Sequence, residues 1–162
     1  MDMLSLKTGS RYSEEHLGFM DMALEEARLA FGKDEVPVGA VLVRDGEVIA
    51  RAHNQREAQN DPTAHAEILA LREAGKKAGN FRLKGVTLYV TLEPCPMCSG
   101  AAVLARIDRL VYGATDPKMG AAHTLYNIPT DARLNHQMEV ISGVKDRECA
   151  DLLSKFFEKL RQ

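Results

Sequence analysis

The chain reads as an α/β protein, a three-layer α/β/α sandwich around a mixed five-stranded sheet. Three observations predict this. Short apolar runs of strand length alternate with segments whose apolar residues recur at helical spacing. Helices crossing between successive later strands imply at least one parallel pair, because a parallel connection needs a long crossover. Near the start, Asp45-Gly46 joins two strand-like runs, so an antiparallel hairpin opens the sheet and makes it mixed.

Each element has its own signal. Ser13 can cap a helix on which Leu17, Met20, Leu24, Ala27 and Phe31 recur, with Gly32 as its stop. Val38 to Arg44 and Glu47 to Ala52 are the hairpin strands. Asp61-Pro62-Thr63 reads as the next helix start, with a capping side chain and a proline placed where its missing N–H costs nothing. That helix continues through Ile68, Leu69 and Leu71 to about Gly75. Val86 to Thr91 is a buried strand, and Cys95 and Cys98 open the helix after it. Arg109 to Gly113 and Met138 to Ser142 are the fourth and fifth strands. Cys149, Leu152, Leu153, Phe156, Phe157 and Leu160 form one apolar stripe on a last helix. With no internal repeat, low-complexity stretch or linker, residues 13–162 read as one domain and residues 1 to about 12 as a loose leader.

The chemistry concentrates in two short motifs. His65-Ala66-Glu67 and Pro94-Cys95-Pro96-Met97-Cys98 supply three metal ligands and one carboxylate that need not be a ligand. Three protein ligands leave one position of a tetrahedral zinc open to water, whose pKa falls from about 15.7 toward about 7. Residues two apart on a helix point in different directions, so His65 can face a metal while Glu67 reaches sideways as a proton carrier. The two thiols stand at i and i+3 on a helix start, where the helix dipole favours anionic sulfur. A structural zinc would need a fourth ligand, and only Cys149 is left, which fits the apolar stripe instead.

H-x-E paired with P-C-x-x-C is the signature of zinc-dependent nucleobase deaminases. The similarity extends through Val36-Pro37-Val38-Gly39-Ala40-Val41-Leu42-Val43, Asn54, Asp61 to Glu67, Leu88 to Cys98 and Asn135-His136. From about residue 13 onward the chain resembles the bacterial tRNA-specific adenosine deaminases of the cytidine/deoxycytidylate deaminase superfamily. That resemblance implies a cytidine deaminase-like fold, one Zn2+ per chain held by His65, Cys95 and Cys98, and Glu67 as the catalytic group. It implies hydrolytic deamination of adenosine to inosine at the wobble position, the first of the tRNA anticodon. Its expected partners are a tRNA anticodon stem-loop, tRNA-Arg by the same resemblance, and a second copy of the chain in a homodimer. Asn54, a turn or capping residue from pattern alone, would by resemblance hydrogen-bond the target base. Asp116 and Lys118, in a loop after the fourth strand, would hold the nucleotides flanking it, and Asn135 and His136 would lie near the anticodon loop. Gln137 stands where many relatives carry a basic residue, which removes one expected phosphate contact.

Composition sets the outer limits. At 162 residues and 45% hydrophobic, the chain can bury one sizeable core but hardly two. A net charge of -2 gives no global attraction to nucleic acid, so a local patch must supply it. Lys76, Lys77, Arg82 and Lys84 form one basic cluster and Lys155, Lys159 and Arg161 another, each also readable as a solvated face. No apolar run approaches the roughly 20 residues of a membrane span, and the N-terminus lacks a signal-peptide apolar region. A cytoplasmic location without membrane contact is the default. Three cysteines, two in a C-x-x-C, argue for a reducing compartment over a disulfide framework.

Other residues carry open readings. Glu93 reads as a structural carboxylate accepting local backbone N–H groups, or as one orienting the site. His53 reads as a surface or packing histidine. Phe156 and Phe157 are adjacent on a helix, so one enters the core and the other is free to stack on a splayed-out base. A deaminase of a free nucleobase or nucleoside (cytosine, cytidine or guanine) would share all the metal chemistry and differ in the contacts to a macromolecule. A non-enzymatic zinc module is the third possibility.

Overall fold

The computed structural model describes residues 11–162. Ser13 caps the first helix, α1 (Glu14–Gly32), its hydroxyl accepting the N–H of His16 at 3.1 Å. The helix ends at Gly32, the expected stop, with Lys33 as its C-cap and a positive φ of 59° following at Asp34. β1 (Gly39–Arg44) and β2 (Glu47–His53) form the predicted hairpin. Both turn residues have positive φ, 51° at Asp45 and 76° at Gly46, as a type I′ turn requires. The remaining elements are α2 (Arg56–Gln59), α3 (Ala66–Ala78), β3 (Val86–Leu92), α4 (Pro96–Leu104), β4 (Arg109–Ala114), a 3-10 turn (Ile128–Thr130), β5 (Glu139–Ile141) and α5 (Asp146–Leu160).

The sheet has five strands in the order β2-β1-β3-β4-β5. β1 is antiparallel to both β2 and β3, while β3–β4 and β4–β5 are parallel, so the sheet is mixed as predicted. Alternate side chains divide between its faces. Ala40, Leu42, Leu88, Val90 and Tyr112 pack with Ala66 and Ala70 of α3 and Ala102 of α4. Val41, Val43, Tyr89 and Val111 pack with Met20 and Leu24 of α1 and Cys149 of α5. Two separate cores back to back are the three layers. Each fully buried leucine contributes about 2 kcal/mol of hydrophobic stabilisation.

The strand ends fall within a residue of expectation, whereas both ends of α3 and one face of α5 differ from it. Asp61 does not start a helix: its Oδ1 accepts the N–H and the hydroxyl of Thr63 at 2.8 and 2.7 Å, closing a local turn. α3 begins only at Ala66, with His65 as its extended N-cap. It then runs through Gly75 and stops at Gly79, which takes the left-handed conformation. On α5 only Cys149 and Phe156 are buried, and Phe157 is 43% and Leu160 62% exposed, so the apolar stripe is not wholly a core face. Residues 1–10 of the expected leader lie outside the described residues, whereas Tyr12 donates its hydroxyl to the Ser142 carbonyl at 2.5 Å. No helix among the described residues is long and apolar enough to cross a membrane.

Candidate active site

β2, β3 and β4 run in the same direction, β2 and β3 each antiparallel to the β1 strand between them. Their C-terminal ends therefore meet at one edge of the sheet, and everything that follows each strand is delivered there. After β2 come Asn54 and, one turn later, His65 and Glu67. After β3 come Glu93, Cys95 and Cys98, and after β4 come Asp116 and Lys118.

His65 and Cys95 are the N-cap residues of α3 and α4, yet neither side chain caps its own helix. Both are free to turn toward each other. Nδ1 of His65 lies 3.6 Å from Sγ of Cys95 and 3.5 Å from Sγ of Cys98, and the three ligand atoms fall within 4.8 Å of one another. A tetrahedral ion with a nitrogen at about 2.0 Å and a sulfur at about 2.3 Å separates those atoms by about 3.5 Å. The donor set fits a metal ion of that size and softness.

Charge at the cluster is tuned by proximity. A hydrogen bond from Cys98 pulls the Cys95 thiol down to about 4, with His65 adding to the effect. Cys98, which donates that bond and is buried, is pushed up. A hydrogen bond between His65 and Cys95 raises His65. Glu67 is buried in the first turn of α3, and burial pushes its carboxyl up from the usual range. A carboxyl displaced in that direction holds a proton more readily than a free one, which suits a group that must take a proton and pass it on.

A cavity of about 780 Å³ opens over the cluster. Asn54, His65, Glu67, Cys95, Asp116, Lys118 and Phe157 line it, and Arg56 and Arg161 add two more cations. Asn54 is buried; its Nδ2 donates to the Val36 carbonyl at 3.3 Å. That bond fixes the amide, and its Oδ1 is the one buried side-chain polar atom among the described residues that no protein group satisfies. An orphaned buried acceptor costs about 1–3 kcal/mol, an expense that a donor on a bound molecule would remove.

The structure does not bring every expected residue to this cavity. Asp116 does line it, but turns its Oδ1 to the N–H groups of Lys118 and Met119 at 3.0 and 3.2 Å. Asn135 is exposed, and His136 has its Nε2 2.7 Å from the Ile107 carbonyl; both stand outside the cavity lining. Phe156 is the buried member of the aromatic pair, set edge-on against Phe31 and Phe157. His53 is packed, its ring nitrogens 2.9 Å from Glu26 and 3.3 Å from Lys33. Cys149 lies in the core. Glu93 is a buried carboxylate that accepts backbone N–H groups of the loop after β4. Burial raises its pKa, but the bonds from Thr124 and that backbone together outweigh it and hold the carboxyl below its usual range. Arg56 was missed by pattern: it belongs to a helix of four residues, too short to show a period.

Fold and site together define a deaminase. The MafB19-like deaminase family matches residues 14–161. The tRNA-specific adenosine deaminase of Bacillus subtilis is 56% identical over 144 residues, 89% of each chain. A structure from studies of A-to-I editing by tRNA:A34 deaminases at the wobble position of transfer RNA superposes with a TM-score of 0.80. It is 50% identical and covers 83% of this chain and 98% of its own. A guanine deaminase from Bacillus subtilis is more distant, at 40% identity and a TM-score of 0.59, with 64% of this chain and 66% of that one covered. The chain belongs to the family of tRNA-specific adenosine deaminases.

Proposed function

We infer that this chain hydrolyses adenosine to inosine at the wobble position of tRNA, with Zn2+ held by His65, Cys95 and Cys98 and with Glu67 as the proton carrier. The observation that carries the reading is the meeting, in one cavity, of a three-ligand cluster with a buried carboxyl that is not a member of it. Bound zinc supplies Lewis acidity that brings the pKa of water toward neutrality. Glu67 accepts the proton of the attacking water and returns it to adenine N1. It then passes the second proton to the departing amino group, so that water is consumed and ammonia leaves. Asn54 offers its unpartnered Oδ1 to a donor on the substrate and so orients the flipped-out base.

The RNA contacts follow from the same cavity. Phe157, exposed at its wall, stacks on a base, and Phe156 beneath it keeps the ring in place. Asp116 and Lys118 hold the nucleotides flanking the target. Lys118, Arg56 and Arg161 give a chain of net charge -2 a local cationic rim for phosphates. Asn135 and His136 contact the anticodon loop from outside the cavity. The isoacceptor is tRNA-Arg and the compartment is the cytoplasm.

A homodimer is the expected assembly. A groove of about 520 Å³ between α3 and α4 is lined by Ile68, Leu71, Phe81 and Leu104. Phe81 is 66% and Leu104 69% exposed, and a second copy of the chain would cover them.

The alternative substrate is a free nucleobase such as guanine, which the likeness to a guanine deaminase supports. Offering tRNA-Arg, adenosine and free bases separately to the zinc-loaded enzyme distinguishes the two. Inosine confined to the tRNA is expected; turnover of a free base with tRNA left unmodified would favour the alternative.

A further inference from the structure

We infer that Glu93 is a positioning residue: it locks the loop after β4, and with it Asp116 and Lys118, in register with the metal ligand Cys95. This role presupposes the tRNA reading above. Glu93 Oε1 accepts the N–H of Asp116 at 3.1 Å and the hydroxyl of Thr124 at 2.5 Å. Its Oε2 accepts the N–H groups of Ala122, His123 and Thr124 at 3.2, 2.9 and 2.9 Å. The lone pairs of one carboxylate are thereby all engaged by one loop. They leave none for a proton or a metal, so Glu93 acts on the reaction only through what it holds.

The loop is wound tightly on this anchor. A Cβ at Gly120 would stand 2.4 Å from Glu93 Oε1 and 2.5 Å from the Asp116 carbonyl, a space only glycine fits. Ala121 donates its N–H to the Pro94 carbonyl at 2.8 Å, and Glu93 donates its own to the Ala114 carbonyl at 2.8 Å. Glu93, Pro94 and Cys95 are consecutive. One rigid segment thus carries a metal ligand at one end and seats the flanking-nucleotide loop at the other. A displaced loop would misplace the RNA relative to the reacting centre and leave the ligands where they are.

Glu93→Gln removes an acceptor and turns an NH2 group toward N–H donors. Steady-state kinetics on a tRNA anticodon stem-loop, with zinc content measured on the same full-length preparations, test the role. The expected result is retained zinc, kcat within about twofold of wild type, and KM raised about tenfold, the worth of one hydrogen bond to a charged group. Combined with Lys118→Ala, Glu93→Gln should add little to the KM effect of that substitution alone, because both act through one loop. An unchanged KM, or two effects that multiply, overturns the role. If Glu93→Gln loses zinc or fails to fold, Thr124→Val carries the test. It removes one donor at the far end of the loop, should raise KM about threefold, and overturns the role if KM does not move. A wild-type enzyme that leaves the stem-loop unmodified overturns the substrate reading instead.

Discussion

Nδ1 of His65 stands 3.5 Å from Sγ of Cys98, across 33 residues of chain. Two helix starts create that proximity, one after β2 and one after β3, on strands that flank β1 and end at the same edge. Glu67, one residue into α3 beyond Ala66, is buried beside them without belonging to the ligand set. On the proposed reading, metal binding and proton transfer would therefore sit on different side chains, and substitutions should separate them.

Glu67→Ala should keep about one zinc per chain and lose turnover by at least about 100-fold, the usual worth of a general acid–base group. Cys95→Ser should lose zinc and turnover together. Metal analysis on the preparations used for kinetics checks both, and a Glu67→Ala enzyme that turns over normally would remove the proton-carrier role.

Asn54 carries a buried acceptor that the protein leaves unsatisfied. Asn54→Ala should cut kcat/KM on tRNA by about tenfold or more, while thermal stability changes by about 1 kcal/mol or less, since only the bond to the Val36 carbonyl is lost. A large fall in melting temperature with unchanged kinetics would make Asn54 a scaffold residue instead.

The aromatic pair should divide by burial. Phe157→Leu should raise KM several-fold with stability unchanged, because stacking on a base is worth about 1–3 kcal/mol. Phe156→Leu, in the core, should lower stability by about 1 kcal/mol. Unchanged kinetics in both variants would sink the stacking role.

Acid should weaken the contact of α1 with β2. Glu26 pairs with Arg51 at 2.7 Å and His53 at 2.9 Å. Burial raises its pKa, but the bonds from His53 and Arg51 together outweigh that and leave it below the ordinary 4.5. The folded carboxyl thus binds its proton less tightly than the unfolded one. Its contribution is fully present above about 4.5 and is lost as the pH falls through the lower folded value. Melting curves from pH 7 to pH 3 should show Glu26→Gln less stable at neutrality by about 1–3 kcal/mol, with the gap to wild type closing below pH 4.5. A gap constant across that range contradicts the pairing.

How much of this was legible in the sequence depends on the range of the interaction. His65, Cys95 and Cys98 sit in motifs only a few residues long, so ligand spacing and helix starts could be read together. Asp45-Gly46 carried its turn type in two residues. Asp61 misled because a side chain that closes its own turn to Thr63 imitates a helix cap. Adjacent places on a helix meant that Phe156 and Phe157 could not both face the core, but which of them does depends on how α5 packs, and that packing leaves Phe157 exposed. The five bonds on Glu93 come from residues 23 to 31 positions away, a clustering that only the loop after β4 creates.

The most direct test places inosine on the RNA. Zinc-loaded wild type and Glu67→Ala are incubated with tRNA-Arg, and the anticodon is read by sequencing or nucleoside mass spectrometry. Inosine at the wobble position with wild type and none with Glu67→Ala is the expected result; inosine from both proteins, or none from a fully zinc-loaded wild type, would contradict it.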